Sequence, residues 1–389
     1  MFKTLFKSIF NFEEYDLKHY QVSMLAIISI LGVIGMVLIR RLQDANERQF
    51  EKQIIGYAVG LIVAVVVSLI DYHFVAKFFI PLYFINIALL VITKFTPLGK
   101  SHYLAQRWIL IGSTEVQPSE LTRIIMIIFL AKFFDIVRRQ INKASIIFLA
   151  LILMVIPISL IFIQPDLSVS IVLFATFLCM FYMAGLSYKI ILPTLAIGIP
   201  SFIAFFWYVQ QEYQVILNDY QRDRILAMLH PERFPQLAYQ QVNAAKCIRA
   251  GGISGKWLTD AEVTLKASKV PVIESDFIFT AIAEAFGFVG SMIVIVLLMI
   301  FIYKALKIAR MAKDFMGMLI ASGIASLTMF QLFVNIGVVT SLLPNTGIPL
   351  PFVSSGLSAL LGNMLMLGVL LNVSLQNKRM LPQKETLSL

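Results

Sequence analysis

Apolar residues gather into ten runs along the chain, roughly 21–39, 54–70, 74–93, 120–137, 145–164, 169–185, 190–209, 277–303, 317–340 and 352–374. A run of about 20 such residues matches the hydrocarbon thickness that one helix must cross. In lipid each backbone polar group must be satisfied within its own segment, so these runs predict helices and not strands. The polar punctuation sorts by parity. Odd-numbered gaps hold Gln106-Arg107-Trp108 with Gln117-Pro118-Ser119-Glu120, then Gln164-Pro165-Asp166-Leu167. They also hold a long loop ending at Glu274-Ser275-Asp276, and the turn from Pro344 to Phe352. Even-numbered gaps are short and mostly basic.

The expected fold is therefore all-α: a polytopic membrane protein of about ten transmembrane helices. The basic bias of the even gaps puts them inside, with the N- and C-termini cytoplasmic and loop 210–275, between spans seven and eight, outside. We expect one polytopic domain over residues 1–389, with that loop as its only sizeable part outside the membrane. The first 20 residues read as a cytoplasmic tail, because they are charged and aromatic and lack a small-residue cleavage site.

Composition agrees: 59% of residues are hydrophobic and 14% charged. The net charge of +10 raises nucleic acid as a partner. The cations follow the membrane rule instead, so no nucleic-acid partner is expected. The two cysteines, Cys179 mid-span and Cys247 in the long loop, lie too far apart in the topology to form a disulfide.

In the long loop, residues 212–227 carry Val215, Ile216, Tyr220, Ile225 and Leu226 among charges, which predicts a helix at the membrane interface. A two-proline break at Pro231 and Pro235 follows, then a second helical stretch from Tyr239 to Arg249 closed by Gly251-Gly252.

Four acids stand at or inside membrane boundaries: Glu120, Asp166, Asp276 and Glu284. Ionisable groups there are costly, and each calls for a role and a partner. Glu120 and Arg123 are three apart and can pair across one helical turn. Asp166 suits an N-cap of the sixth span or a functional group. Asp276 meets the headgroup level at the start of the eighth span, as an N-cap or a catalytic carboxylate. Glu284 lies about 12 Å deeper along the same helix and reads as a buried structural acid in need of a basic or amide partner. The Pro/Gly-rich turn before the tenth span suits a tight connection or the lining of a polar cavity.

On these blocks the chain resembles the SEDS family (shape, elongation, division and sporulation) of bacterial cell-wall proteins, over roughly residues 15–375. The blocks are Ala105-Gln106-Arg107-Trp108, Gln117-Pro118-Ser119-Glu120-Leu121, Gln164-Pro165-Asp166-Leu167, Tyr239-Gln240, Gly251-Gly252, Ser275-Asp276-Phe277-Ile278-Phe279 and Gly347 through Ser355. The form Gly-Ile-Pro-Leu-Pro-Phe-Val-Ser is closer to the rod-shape branch than to the division branch.

The resemblance implies a peptidoglycan glycosyltransferase of the bacterial cytoplasmic membrane that polymerises lipid II, the undecaprenyl-pyrophosphate-linked disaccharide peptide, at the outer face during elongation. It implies a class B penicillin-binding transpeptidase as partner, with other membrane proteins of the elongation complex. The family's aspartate maps onto Asp276, as general base. The expected substrate-binding set is Arg107, Trp108, Glu120, Gln164, Asp166, Lys246, Lys269 and Ser354. Arg107 is the first candidate to hold the pyrophosphate, with Arg249 and Lys266 as further cations. No metal-ligand spacing stands out, and no cofactor is fixed, although a divalent cation such as Mg²⁺ or Mn²⁺ is compatible with single carboxylates.

Departures from the family pattern are Glu274 for a usual His, Ser168 and Leu357 for Gly, Arg249-Ala250 for Gly-Ser and Arg123 for Lys. Three other readings stand beside this one: a lipid II flippase, a division-type polymerase, and a scaffold that only recruits the transpeptidase. A flippase should carry its polar groups at mid-membrane, whereas here they cluster at the outer ends.

Overall fold

The computed structural model describes residues 9–10, 15–42, 49–102, 105–112, 114–257 and 265–376. In chain order its helices are α1 (Val22–Leu42), α2 (Gln49–Ser68), α3 (Tyr72–Lys77), α4 (Phe79–Phe95), α5 (Pro118–Val137), α6 (Ala144–Ile163) and α7 (Leu167–Met183). They continue as α8 (Tyr188–Val209), α9 (Asp219–Leu229), α10 (Pro235–Gly251), α11 (Ile278–Met311), α12 (Phe315–Val339) and α13 (Leu357–Leu375). All but α9 and α10 stand where the apolar runs predict helices, the third run being shared by α3 and α4. Seven of them (α1, α2, α6, α8, α11, α12 and α13) are long and apolar enough to cross a membrane. Helices α4 and α7 are equally oily but only 17 residues long. Helix α5 carries Glu120, Arg123, Lys132 and Asp135. The protein is a polytopic helical membrane protein.

Helices α12 and α13 form the centre, with 67% and 72% of their most apolar windows buried. Helix α13 lies along α2, and α12 packs against α5, α7 and α11. Helix α8 is the opposite case: only Val209 is buried, and Leu192, Ile197, Phe202 and Ile203 all point outward. A helix apolar on all sides yet unburied by protein is built for lipid or for another helix.

The structure departs from the sequence expectation in four places. A small antiparallel sheet fills the gap between α4 and α5, with β1 (Gly99–His102), β2 (Ala105–Ile111) and β3 (Thr114–Val116) in the order β1-β2-β3. The tenth apolar run starts as a helix only at Leu357, because residues 344–356 run as irregular backbone into the protein. The first loop helix covers residues 219–229 and not 212–227, and it buries Gln221, Ile225 and Ala227 within the protein, so its apolar face packs on the bundle. Helix α11 is broken at Gly287, whose φ is +67°.

That break is repaired by the long loop. Phe288 N–H donates to the Gly252 carbonyl at 2.9 Å and Val289 N–H to that of Ile253 at 3.2 Å. Lys256 and Trp257 N–H groups donate in turn to the Glu284 and Ala285 carbonyls, each at 3.0 Å. Freed backbone groups at membrane depth survive only when something re-satisfies them, and here a loop strand does so.

Candidate active site

Helix α11 begins at Ile278, and its N-cap is Phe277, with no side-chain capping bond. The Asp276 carboxylate is thus not spent on capping, although its residue type and position suit a cap. It sits half-buried at the mouth of the bundle. Its backbone is fixed from α12: Asn335 Nδ2 donates to the Asp276 carbonyl at 2.9 Å and to the Ile348 carbonyl at 2.7 Å. One amide thereby ties the proposed base to the Pro/Gly-rich turn.

That turn is stitched in from every side. Ser168 Oγ donates to the Thr346 carbonyl, and Arg224 Nη1 donates to that of Asn345 at 2.9 Å. Asn345 Nδ2 donates to Gln240 Oε1 at 2.5 Å. Ser354 Oγ accepts from Leu350 N–H at 2.8 Å and donates to the Ser275 carbonyl at 2.5 Å. Ser355 N–H donates to the Glu274 carbonyl at 2.8 Å. The turn reaches the base at Gly347, where φ is +75°; a Cβ built there would stand 3.1 Å from Asp276 Oδ2.

Burial pushes the Asp276 carboxyl up to about 6, with the Asp166 charge adding to the rise. A Ser275 hydrogen bond and the positive charges of Arg224 and Arg107 hold it from going higher. These four residues come from three separate connections and α9, which makes the convergence tertiary and not local. Glu120 joins them, since the charges of both Asp166 and Asp276 bear on it.

The expected site residues fall into distinct placements. Asp166 caps α7, accepting from Val169 N–H at 3.4 Å, and also accepts from Gln117 Nε2 at 3.1 Å. Its capping reading is borne out. Arg107, on β2, donates from Nε to the Gln164 carbonyl at 3.0 Å and from Nη2 to that of Pro165, with Nη1 3.8 Å from Asp166 Oδ2. Its guanidinium braces the Gln-Pro-Asp turn while keeping its charge beside the base. Glu120 accepts from Arg123 Nη1 at 2.5 Å, the one-turn pair foreseen. Gln164 is wholly buried and donates to the Leu90 carbonyl at 3.0 Å. Trp108 is half-buried on β2, opposite Lys100. Ser354 holds the turn together, as above. Lys246 and Lys269 are exposed and are not among the charges acting on Asp276, and Arg249 is also exposed. The Lys266 side chain lies outside the described residues.

Glu284 finds the partners its depth demands. Lys256 Nζ donates to one carboxylate oxygen and Ala267 N–H to the other at 2.7 Å, fastening the long loop to α11. Two residues of the site escaped the sequence reading, Arg224 and Asn335. Arg224 lies in the amphipathic stretch assigned to the membrane surface. Asn335 is a polar residue inside an apolar run, and that rarity was its only signal. Among the described residues no three His, Cys, Asp or Glu side chains form a metal-binding group. Asp276 offers one carboxylate, which suits a hydrated Mg²⁺ shared with a pyrophosphate and not a dedicated protein cage.

Comparisons with known proteins give the family. Residues 16–379 match the family described as cell cycle protein FtsW/RodA/SpoVE. The chain is 32% identical over 369 residues to the peptidoglycan glycosyltransferase MrdB of Escherichia coli K12, covering 94% of this chain and 96% of the relative. It is 30% identical to the probable peptidoglycan glycosyltransferase FtsW of Trichlorobacter lovleyi, covering 92% and 94% of the two chains. Stage V sporulation protein E of Bacillus subtilis is 31% identical over 83% of this chain and 86% of its own. In fold, the chain superposes on one from a peptidoglycan synthase complex with a TM-score of 0.77 at 24% identity, covering 92% and 99% of the two chains. For the rod-shape-determining protein RodA of Thermus thermophilus the TM-score is 0.67 at 20% identity, over 92% and 98%. Family match, extent of identity and shared fold together show that this chain belongs to the FtsW/RodA/SpoVE family, the SEDS proteins.

Proposed function

We propose that this chain polymerises lipid II into glycan strands at the outer face of the cytoplasmic membrane, with Asp276 as general base. Its curated relatives carry the name peptidoglycan glycosyltransferase, and the chain is an enzyme of that class. The observation that carries the reading is the state of Asp276: a half-buried carboxylate just ahead of α11, with its carboxyl raised to about 6 by burial.

The chemistry follows from that state. The acceptor's 4-hydroxyl oxygen bonds to the donor's anomeric carbon while the bond from that carbon to the lipid pyrophosphate breaks. The hydroxyl proton passes to Asp276, and the pyrophosphate leaves with the electron pair. A sugar hydroxyl is a weak nucleophile, and a positioned base contributes about 10²–10⁴-fold. A carboxyl near 6 is a stronger base than an ordinary aspartate and still roughly nine-tenths ionised at pH 7. The pyrophosphate needs no protonation to leave, unlike the alcohol in glycoside hydrolysis, so one carboxylate suffices. Arg107 and Arg224 supply positive charge beside the reacting atoms, where developing negative charge is best stabilised by fixed groups. Were a divalent cation bound, Asp276 is the residue that would hold it, and it would supply further positive charge for the departing pyrophosphate.

Service in elongation, with a class B transpeptidase and other elongation-complex membrane proteins as partners, is the finer reading. The Gly347–Ser354 form and the likeness to MrdB support it. So does the fold shared with a complex described as coordinating polymerization and crosslinking. The test is lipid II polymerisation by the purified protein with its cognate transpeptidase, read as glycan ladders. Wild type should yield polymer and Asp276→Asn none. An intact wild-type complex that makes no polymer but carries lipid II across sealed vesicles would put transport in place of synthesis.

A further inference from the structure

Beside Asp276 lie two adjoining hollows whose lining, Arg224 apart, the transfer step does not use. The larger is a groove of about 610 Å³, bounded by Arg224 of α9, by Gln236, Tyr239 and Gln240 of α10, and by Pro271 and Asn345. The smaller, about 20 Å³, shares Arg224 and Asn345 with it and is also lined by Gln221 and Thr346. The Gln221 amide nitrogen and oxygen and the Thr346 hydroxyl are all buried, with no hydrogen-bond partner among the described residues. Gln221 is only 4% exposed. An unpaired buried polar group costs about 1–3 kcal/mol. Groups held so must meet something that pairs with them, a water when the hollows are empty or a ligand's polar atom when they are filled. The small hollow has room for roughly one water.

The groove's inventory selects a ligand class. It offers the Gln236 amide and the Asn345 amide oxygen, since Gln240 is spent on Asn345 Nδ2 and the Pro271 carbonyl, with a tyrosine exposed to 48%, two prolines and one cation, and no carboxylate. Amides match the paired hydroxyls and acetamido groups of amino sugars, and a tyrosine face takes the apolar side of a sugar ring. A lipid chain would ask for a continuous apolar wall, and a basic peptide for acids. The volume lies within the range of about 300–1,000 Å³ typical of small-ligand sites. Its place matters too. Arg224 borders both hollows and acts on Asp276, and Asn345 is two residues from Gly347, which abuts the Asp276 carboxylate. The groove therefore adjoins the reaction centre through Arg224 and Asn345 and is lined along one side by α10.

We propose that this groove binds saccharide units of the growing glycan, holding the strand beside the reaction centre between one addition and the next. The proposal rests on the glycosyl transfer assigned above. Its test is binding of a lipid-free hexasaccharide, cut from uncrosslinked peptidoglycan, to the full-length Asp276→Asn protein, which cannot turn over. Adding Tyr239→Ala or Gln236→Ala should weaken that binding by about tenfold or more. Val242→Ala, on the same helix outside the groove, should not. In the active protein the two groove variants should shift products toward shorter strands. Unchanged affinity in both groove variants, or no binding by the parent, overturns the proposal. So does loss of transpeptidase binding with saccharide affinity intact, which would make the groove a protein contact. Absence of polymer from the wild type would instead overturn the transfer reaction, and the binding result would still be readable.

Discussion

Asp276, the proposed base, sits where its charge costs stability. Its folded-state carboxyl lies near 6, above the ordinary 3.8, so the native protein holds that proton more tightly than the unfolded chain does. Ionising the group thus costs stability as pH rises through the interval from about 3.8 to 6, and the cost persists above it. Asp276→Asn should consequently melt at the same temperature as wild type or higher at pH 7, with the gap closing below pH 4. A lower Tm at pH 7 would contradict the burial argument. Gly347 faces the same carboxylate under two constraints, a left-handed backbone and a 3.1 Å approach. Gly347→Ala should cost activity by at least tenfold and stability by about 1 kcal/mol; full activity would show that the turn does not position the base. Asn335→Ala should cost about 1–3 kcal/mol, since two buried carbonyls lose their donor, and it should slow polymerisation more than it weakens lipid II binding.

At the scale of elements, the broken α11 and the loop that fills its gap form one unit. A Cβ at Gly287 would come 2.3 Å from Gly255 N, so Gly287→Ala should detach the loop, detectable as protease cleavage within residues 252–276. The Glu284 contacts predict an asymmetry. Lys256→Met leaves a fully buried carboxylate without its cation and should cost about 3 kcal/mol or more. Glu284→Gln keeps an acceptor for Ala267 N–H and should cost about 1 kcal/mol. Equal costs would contradict the ion-pair account. The ten apolar runs and the parity of the polar gaps were legible because lipid imposes length and hydropathy on each span separately. The sheet was not: Trp108-Ile109-Leu110-Ile111 reads as the fringe of a span, and strands this short carry little periodic signal. The packing of α9 was hidden for a related reason. An amphipathic stripe reveals that a face is buried, and it does not say whether lipid or protein buries it. Arg224 was missed as a consequence, and Asn335 because nothing local links a polar residue near the end of a span to a turn following its own helix.

At the scale of the whole molecule, a polar clasp closes the end opposite Asp276. His73 bridges Asp71 at 2.8 Å and Asp314 at 2.5 Å, and Gln376 Nε2 donates to Asp71 at 2.9 Å. It joins the α2–α3 connection, the N-cap of α12 and the end of α13. Asp314 and Asn335, at the two ends of α12, are 21 residues and so about 30 Å apart. The central helix is thus pinned at the clasp and at the catalytic end alike. Burial opposes the charge on His73, but hydrogen bonds and the charges of Asp314 and Asp71 raise it to about 9. The stabilisation is therefore full below about 6.5 and lost as pH rises through 9. Both aspartates are held below their ordinary value, so acid removes their share only below the usual carboxylate range. Thermal stability in detergent should decline between pH 7 and 10 in wild type and far less in His73→Ala; parallel decline would show that the clasp carries no weight.

The central claim, a carboxylate base at residue 276, is tested most directly by the initial rate of lipid II polymerisation as a function of pH, measured for wild type and Asp276→Asn at substrate well below saturation, where the rate reports the free enzyme. The account predicts a wild-type rate that rises tenfold per pH unit below an inflection near 6 and then levels, with no polymer from the mutant at any pH. A mutant that polymerises with the same acid limb would place the titrating base elsewhere and remove Asp276 from the chemistry.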